Sequence, residues 1–175
     1  MLSPEDRQTL LDLARRTVEA AARGDDPPDL RNPSGALRQK GAAFVTLRVG
    51  GELRGCVGHI EPVKPLWESV REMARSSAER DSRFNPVGPQ ELPGLRVEIS
   101  VLSPMNPARP EDIVVGLHGL YVRRGTQGGL LLPQVAVEWA WDRREFVRRT
   151  FEKAGVPEGD AEAALYTFTV ERFAS

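Results

Sequence analysis

The chain has 175 residues, 40% hydrophobic and 28% charged, with a formal net charge of −1. Its length predicts one domain over residues 1–175, with room for a smaller lobe, and a core that needs no covalent staple. The near-neutral charge argues against nucleic acid or anionic lipid as a partner, and no run approaches the ~18 apolar residues of a membrane span.

The start, Met1-Leu2-Ser3-Pro4-Glu5-Asp6, lacks the basic and apolar regions of a leader. The single cysteine, Cys56, cannot form an internal disulfide, so the reading is a cytoplasmic protein.

Ser3-Pro4-Glu5-Asp6 is a helix start, with Ser3 as N-cap, Pro4 at the first helical position and acids in the first turn. Leu10, Leu11, Ala14, Val18, Ala21 and Ala22 follow at helical spacing. The predicted helix runs over about 4–23 and stops at Gly24, and residues 24–36, rich in Pro, Asn and Asp, read as a loop.

Ala42 to Ile60 reads as a β-hairpin turning at Gly50-Gly51. Alternation places Ala43, Val45, Leu47 and Val49 on one face of the first strand, and Phe44, Thr46 and Arg48 on the other. In the second strand it groups Leu53, Gly55 and Val57 against Arg54, Cys56 and Gly58.

A helix is expected over Pro65–Arg80, with a loop from Asp81 to Pro86. Leu95 to Leu102 is a strand in which Glu98 and Ser100 face the Cys56 side, if the strand joins the same sheet in that register. Short strands are expected between Ile113 and Leu132, interrupted around Gly116-Leu117-His118-Gly119 and Gly125–Gly129. Pro133-Gln134 leads into a helical segment containing Glu138. Asp142-Arg143-Arg144-Glu145 has the outline of a capping box, with Gly155 as the later stop. Tyr166, Phe168 and Val170 alternate in a final strand. Several hairpins and few βαβ patterns predict an α+β fold with a mainly antiparallel sheet flanked by helices.

Leu53-Arg54-Gly55-Cys56-Val57-Gly58 is the candidate reactive segment. A neighbouring guanidinium favours the thiolate, the nucleophilic form of cysteine; the other reading is a small, partly buried hydrophobe. Arg54 either binds a carboxylate or phosphate or pairs with an acid such as Glu98. Gly55 and Gly58 permit close backbone approach to a ligand or mark a bulge. Glu98 is either a general base or orienter near Cys56 or a solvated strand residue that partners an arginine, and His118 is a candidate acid, base or ligand contact in a setting that also suits a turn. Arg83, beside Asp81 and Phe84, is either a ligand contact or one half of an ion pair. Gln134 is either a hydrogen-bond donor to a ligand or a helix-start residue. Trp67, Trp139 and Trp141 read as packing residues. Cys56 and His59 are too few for a closed metal site, and no GxxxxGK[ST], GxGxxG, HExxH or GxSxG pattern is present. No cofactor or metal is expected.

The motifs together resemble the AMMECR family, whose prokaryotic members are also called AmmeMemoRadiSam system protein A. The matching segments are Gly41–Leu47, Leu53–Gly58, Asp81-Ser82-Arg83-Phe84, Val97–Leu102, Gly116–Leu120, Leu131–Val135 and Lys153-Ala154-Gly155, in order over roughly residues 40–170. Val57 stands where the family more often has isoleucine. The resemblance implies a larger and a smaller lobe with a cleft between them, lined by the Leu53–Gly58 motif. It also implies work alongside Memo-like and radical S-adenosylmethionine proteins, in a family without a settled activity. Two functions follow as expectations. One is a thiol-dependent enzyme acting on a small anionic molecule through Cys56, Arg54 and Glu98 or His118. The other is a non-catalytic ligand- or partner-binding module.

Overall fold

The computed structural model describes residues 1–175. The chain divides into two compact units, Met1–Leu102 with Glu171–Ser175, and Ser103–Val170. Each is built on a four-stranded antiparallel sheet with helices against it, the α+β arrangement expected from the alternating strands and separate helical segments. No helix is long and apolar enough to cross a membrane.

The first unit opens with α1 (Pro4–Arg23). Ser3 Oγ accepts from the Asp6 N–H at 3.0 Å, satisfying one of the donors that a helix start leaves open. Gly24 ends the helix at φ +77°, a left-handed conformation that costs glycine nothing. The end of the loop expected over residues 24–36 instead begins one helical turn, α2 (Gly35–Arg38), started by Ser34, whose hydroxyl accepts from the Leu37 N–H. Leu37 is buried; this one anchored side chain fixes a turn too short to show helical periodicity.

Strands β1 (Ala42–Val49) and β2 (Glu52–Gly58) form the expected hairpin. Gly50 and Gly51 both have positive φ, +62° and +90°, as a tight primed turn requires. Helix α3 (Leu66–Glu79), a 3₁₀ segment (Pro89–Gly94) and β3 (Leu95–Leu102) follow. The last strand of this sheet is β8 (Val170–Ala174), and the order is β2-β1-β3-β8. Leu10, Leu11, Ala14 and Val18 of α1 and Leu66, Val70, Met73 and Ala74 of α3 share one core with Ala43, Val45, Leu47, Val97 and Ile99 of the sheet. That core covers a single face of the sheet. The opposite face carries Phe44, Thr46, Arg48, Glu98 and Ser100.

The second unit contains β4 (Asn106–Pro107), β5 (Gly119–Arg124), β6 (Gln127–Leu131) and β7 (Ala164–Phe168), in the order β4-β7-β5-β6. Its helices are α4 (Pro133–Glu138) and α5 (Arg143–Ala154). Leu120, Val122, Phe146, Val147 and Phe151 centre its core. At the start of α5, Asp142 caps the Glu145 N–H at 2.8 Å. The second half of the expected capping box does not form, because the Glu145 carboxylate turns to Arg148 and Arg149.

Two further expectations need correction. The final alternating stretch is two strands, β7 and β8, in different sheets. Alternation continues across Thr169, so the pattern does not register the change of sheet. Trp139 is not a packing residue: it is 69% exposed, and its ring lies stacked 6.2 Å from that of Trp141.

Candidate functional site

The position of Cys56 is set by a β-bulge. The turn fixes the pairs Val49↔Glu52 and Arg48↔Leu53. Uninterrupted pairing would continue to Thr46↔Gly55 and Val45↔Cys56, placing the thiol in the core beside Val45. Instead the register shifts, giving Leu47↔Gly55, Thr46↔Cys56 and Val45↔Val57. Arg54 is the extra residue. One inserted residue reverses every later side chain in a strand, so Cys56 leaves the core and Val57 enters it. The expectation that Leu53 shares a face with Val57 is corrected for the same reason. Leu53 pairs with Arg48 on the Cys56 side.

Freed from the ladder, Arg54 binds elsewhere. Its Nε and Nη2 donate to the two Glu91 carboxylate oxygens at 2.6 and 3.1 Å, and Nη1 and Nη2 reach the Asn85 and Pro86 carbonyls at 2.9 and 3.3 Å. The Arg54 hydrogen bonds, with the Gly88 N–H, hold the Glu91 carboxyl below its ordinary range. This arginine fastens the loop after α3 onto the bulge, and Cys56 is not among its partners.

The glycines of the motif make room for the protein's own atoms. A Cβ on Gly55 would stand 2.2 Å from the Ser77 carbonyl oxygen, and one on Gly58 would stand 2.2 Å from the Phe44 ring. Helix α3 therefore approaches β2 backbone to backbone. Ser77 uses this proximity: its hydroxyl accepts from the Val57 N–H at 3.0 Å and donates to the Val45 carbonyl at 2.8 Å, bridging the two strands.

Strand β2 lies at the edge of its sheet, and its Cys56 peptide groups are capped from outside. Asp81 Oδ2 accepts from the Cys56 N–H at 2.8 Å. Arg83 Nη2 reaches the Cys56 carbonyl at 3.4 Å and Asp81 Oδ2 at 2.7 Å, while Arg83 Nε donates to Asp81 Oδ1 at 3.0 Å. The Asp81 side chain is only 6% exposed, against 54% for Arg83. Hydrogen bonds from Arg83, then from the Cys56 N–H, hold the Asp81 carboxyl far below the usual carboxylate range, against the opposing effect of burial. Phe84 lies under both guanidinium groups, 5.8 Å from that of Arg54 and 5.4 Å from that of Arg83. The Leu53–Gly58 and Asp81–Phe84 motifs thus meet on the backbone of one residue.

The thiol itself is half-buried. Thr46 Oγ1 donates to its sulfur at 3.2 Å. Thr46 also pairs with Glu98 on its other side, so Cys56, Thr46 and Glu98 form one row across three strands on the same face. Two strand spacings put Cys56 and Glu98 about 10 Å apart, with Thr46 between them. The Glu98 carboxylate is bound by Arg172 at 2.6 Å.

The other candidates belong to the second unit or make local contacts. His118 Nδ1 accepts from the Val114 N–H at 3.0 Å and closes the turn before β5. Gln134 stands in the first turn of the six-residue α4. In the first unit, His59 Nδ1 lies 2.8 Å from the Glu61 carbonyl. No three His, Cys, Asp or Glu side chains converge on a point where a metal could sit.

Thr46 is the participant that sequence reasoning missed. Its signal was present in its place on the polar side of β1, but pairing it with Cys56 required knowledge of the bulge.

The sequence model of the AMMECR1 family matches residues 11–173. A protein of Methanothermobacter thermautotrophicus is 44% identical over 189 residues, spanning 98% of this chain and 95% of that one. Protein TK0174 of Thermococcus kodakarensis is 41% identical, spanning 94% of this chain and 87% of its own. Among solved structures, the uncharacterized protein PH0010 of Pyrococcus horikoshii superposes with a TM-score of 0.91 at 38% identity, over 99% of this chain and 93% of that chain.

Proposed function

The chain belongs to the AMMECR1 family, and from that premise we propose that it is a cytoplasmic protein whose Cys56 face binds a small anionic molecule and acts on it through the thiol. The observation that carries the proposal is the treatment of one residue. The bulge turns Cys56 out of the core, Asp81 and Arg83 fix its backbone, and Thr46 presents a hydroxyl donor to its sulfur. A packing cysteine needs none of these. In this reading Cys56 is the nucleophile and Thr46 orients the sulfur. Arg83, paired with Asp81, holds the Cys56 carbonyl in place, and Glu98 acts only through Thr46 or a bound ligand.

The test compares alkylation of Cys56 by iodoacetamide across pH with that of free cysteine. Cys56 is expected to react faster at neutral pH, and Thr46→Val to slow it. A thiol with the rate and pH profile of free cysteine, near pH ~8.5, would sink the reading.

A second reading has its own support. His59, three residues on, turns its Nδ1 to the Glu61 carbonyl, and Glu98 and Arg54 are each bound to another partner. The same face would then be a binding surface, serving Memo-like or radical S-adenosylmethionine partners as the family resemblance suggests. Cys56→Ser and Cys56→Ala separate the two: full cellular function in both variants selects binding, whereas loss of function with partner binding intact selects chemistry.

A further inference from the structure

Arg48 of β1 and Arg96 of β3 are directly paired across the strands. Partners in an antiparallel pair project to the same side of the sheet, and this side also carries Thr46 and Glu98. Like charges placed directly opposite each other are unfavourable, and the protein relieves the other arginines of this region. Arg54 is bound by Glu91, Arg83 by Asp81 and Arg172 by Glu98. Arg48 and Arg96 have no carboxylate among the ion pairs of the structure. Arg48 spends one donor on the Gly51 carbonyl at 3.3 Å. Arg96 is exposed and Arg48 half-buried.

Along the strands, the arginine row lies two residues from the row of Thr46 and Cys56. At the rise of a strand that is about 7 Å. The two ends of this face also differ. Ser100 and Thr46 are buried, whereas the arginine end is open. Leu53, paired with Arg48 by the turn before the bulge begins, gives the arginine row an apolar neighbour. Guanidinium groups are weakly hydrated forks that hold the oxygens of phosphate and carboxylate in pairs. Two of them side by side without a counter-charge suit one anionic group.

We propose that Arg48 and Arg96 form a binding site for the phosphate or carboxylate of a small ligand, whose remaining atoms extend along the sheet face towards Cys56. The proposal rests on the reading of that face as a small-molecule site, and it names the anion-holding residues that composition and spacing did not reveal. Carboxylates claim Arg54 and Arg83 but leave these two free.

The deciding measurement is NMR of the arginine side-chain Nε–Hε groups in the intact protein. It is titrated with inorganic phosphate, pyrophosphate and succinate, with sodium chloride at matched ionic strength as control. Saturable shifts of the Arg48 and Arg96 signals, absent with chloride, are expected, and the stronger anion identifies the ligand group. Arg48→Gln and Arg96→Gln each abolish saturation at the remaining arginine. Shifts that grow linearly, or equally with chloride, overturn the site.

A separate labelling experiment links the site to the thiol. The Cys56 thiolate adds to the double bond of a maleimide, and the adjacent carbon takes a proton from water. 3-Maleimidopropionate is expected to outpace N-ethylmaleimide by roughly tenfold through local concentration at the arginines, with the advantage lost in Arg48→Gln/Arg96→Gln. Saturable NMR shifts with no labelling preference leave the anion site standing and count against thiol chemistry on its ligand.

Discussion

Asp81 carries more of the candidate site than its loop position suggests. Its carboxylate takes the outward N–H of Cys56 and three donors of Arg83, two from the side chain and one from the backbone. Asp81→Ala leaves the Cys56 amide without its acceptor and is expected to cost about 1–3 kcal/mol, the range for an orphaned buried donor. Chemical denaturation measures it. The carboxyl is held below its ordinary range in the folded protein, so the unfolded chain takes up its proton first as pH falls. The stability it contributes is complete above the unfolded value, ~3.9, and drains away as pH drops from there towards the folded value. Asp81→Asn keeps an acceptor oxygen but cannot titrate. Its stability is expected to fall less steeply than that of the natural protein below about pH 4. Parallel slopes for the two proteins would assign the acid sensitivity to other carboxylates.

Among the elements, the hairpin of β1 and β2 decides where the chemistry faces. Its contact with α3 at Gly55 has no room for a side chain. Gly55→Ala is expected to destabilise by about 3 kcal/mol, the upper part of the overpacking range, visible as a lowered unfolding midpoint. A fall comparable with that of an exposed strand substitution would mean that α3 can withdraw. The helices, the Gly50-Gly51 turn and the alternation of β3 were legible because each rests on local signals: caps, turn glycines and period-two burial. The bulge was not, because Arg54 leaves its row for partners 31–37 residues away. Its effect showed first as a misplaced Leu53. Cys56 was found because glycines flank it, yet those glycines serve Ser77 and Phe44. Thr46 and Arg48 were legible on one face of β1, but Arg96 was not legible beside them, because only the pairing of β1 with β3 brings it there. The pairing of Phe168 over Gly119, where a Cβ would come within 2.2 Å of the ring, repeats the Phe44–Gly58 arrangement in the second sheet. In both, an aromatic side chain covers a cross-strand glycine.

For the molecule as a whole, the order of the chain matters most. The first unit is interrupted after Leu102 and resumes at Glu171. The two ends of the intervening segment are tied together: the Ser103 N–H donates to the Thr169 carbonyl, and Ser103 Oγ accepts from the Thr169 N–H, both at 2.9 Å. An insertion with joined ends can be exchanged for a short connector. Replacing residues 104–168 with a few glycines and serines is expected to leave a first unit that unfolds cooperatively and keeps its α-helical and β-sheet circular dichroism. A product without a cooperative transition would show that the first unit depends on the second for its fold.

The returning strand also fastens the start of the chain. Glu171 accepts from the Leu2 N–H and pairs with Arg7 at 2.7 Å, and Ser175 bonds across to Val97. During synthesis, residues 1–102 leave the ribosome with the whole of residues 103–169 still to follow before this strand, so the outer unit waits for its edge until the inner one has been made. The nascent chain therefore carries α1, the hairpin and the Cys56 face for many residues of elongation before β8 arrives to close the sheet, a stretch of time in which that surface meets the cell unfinished.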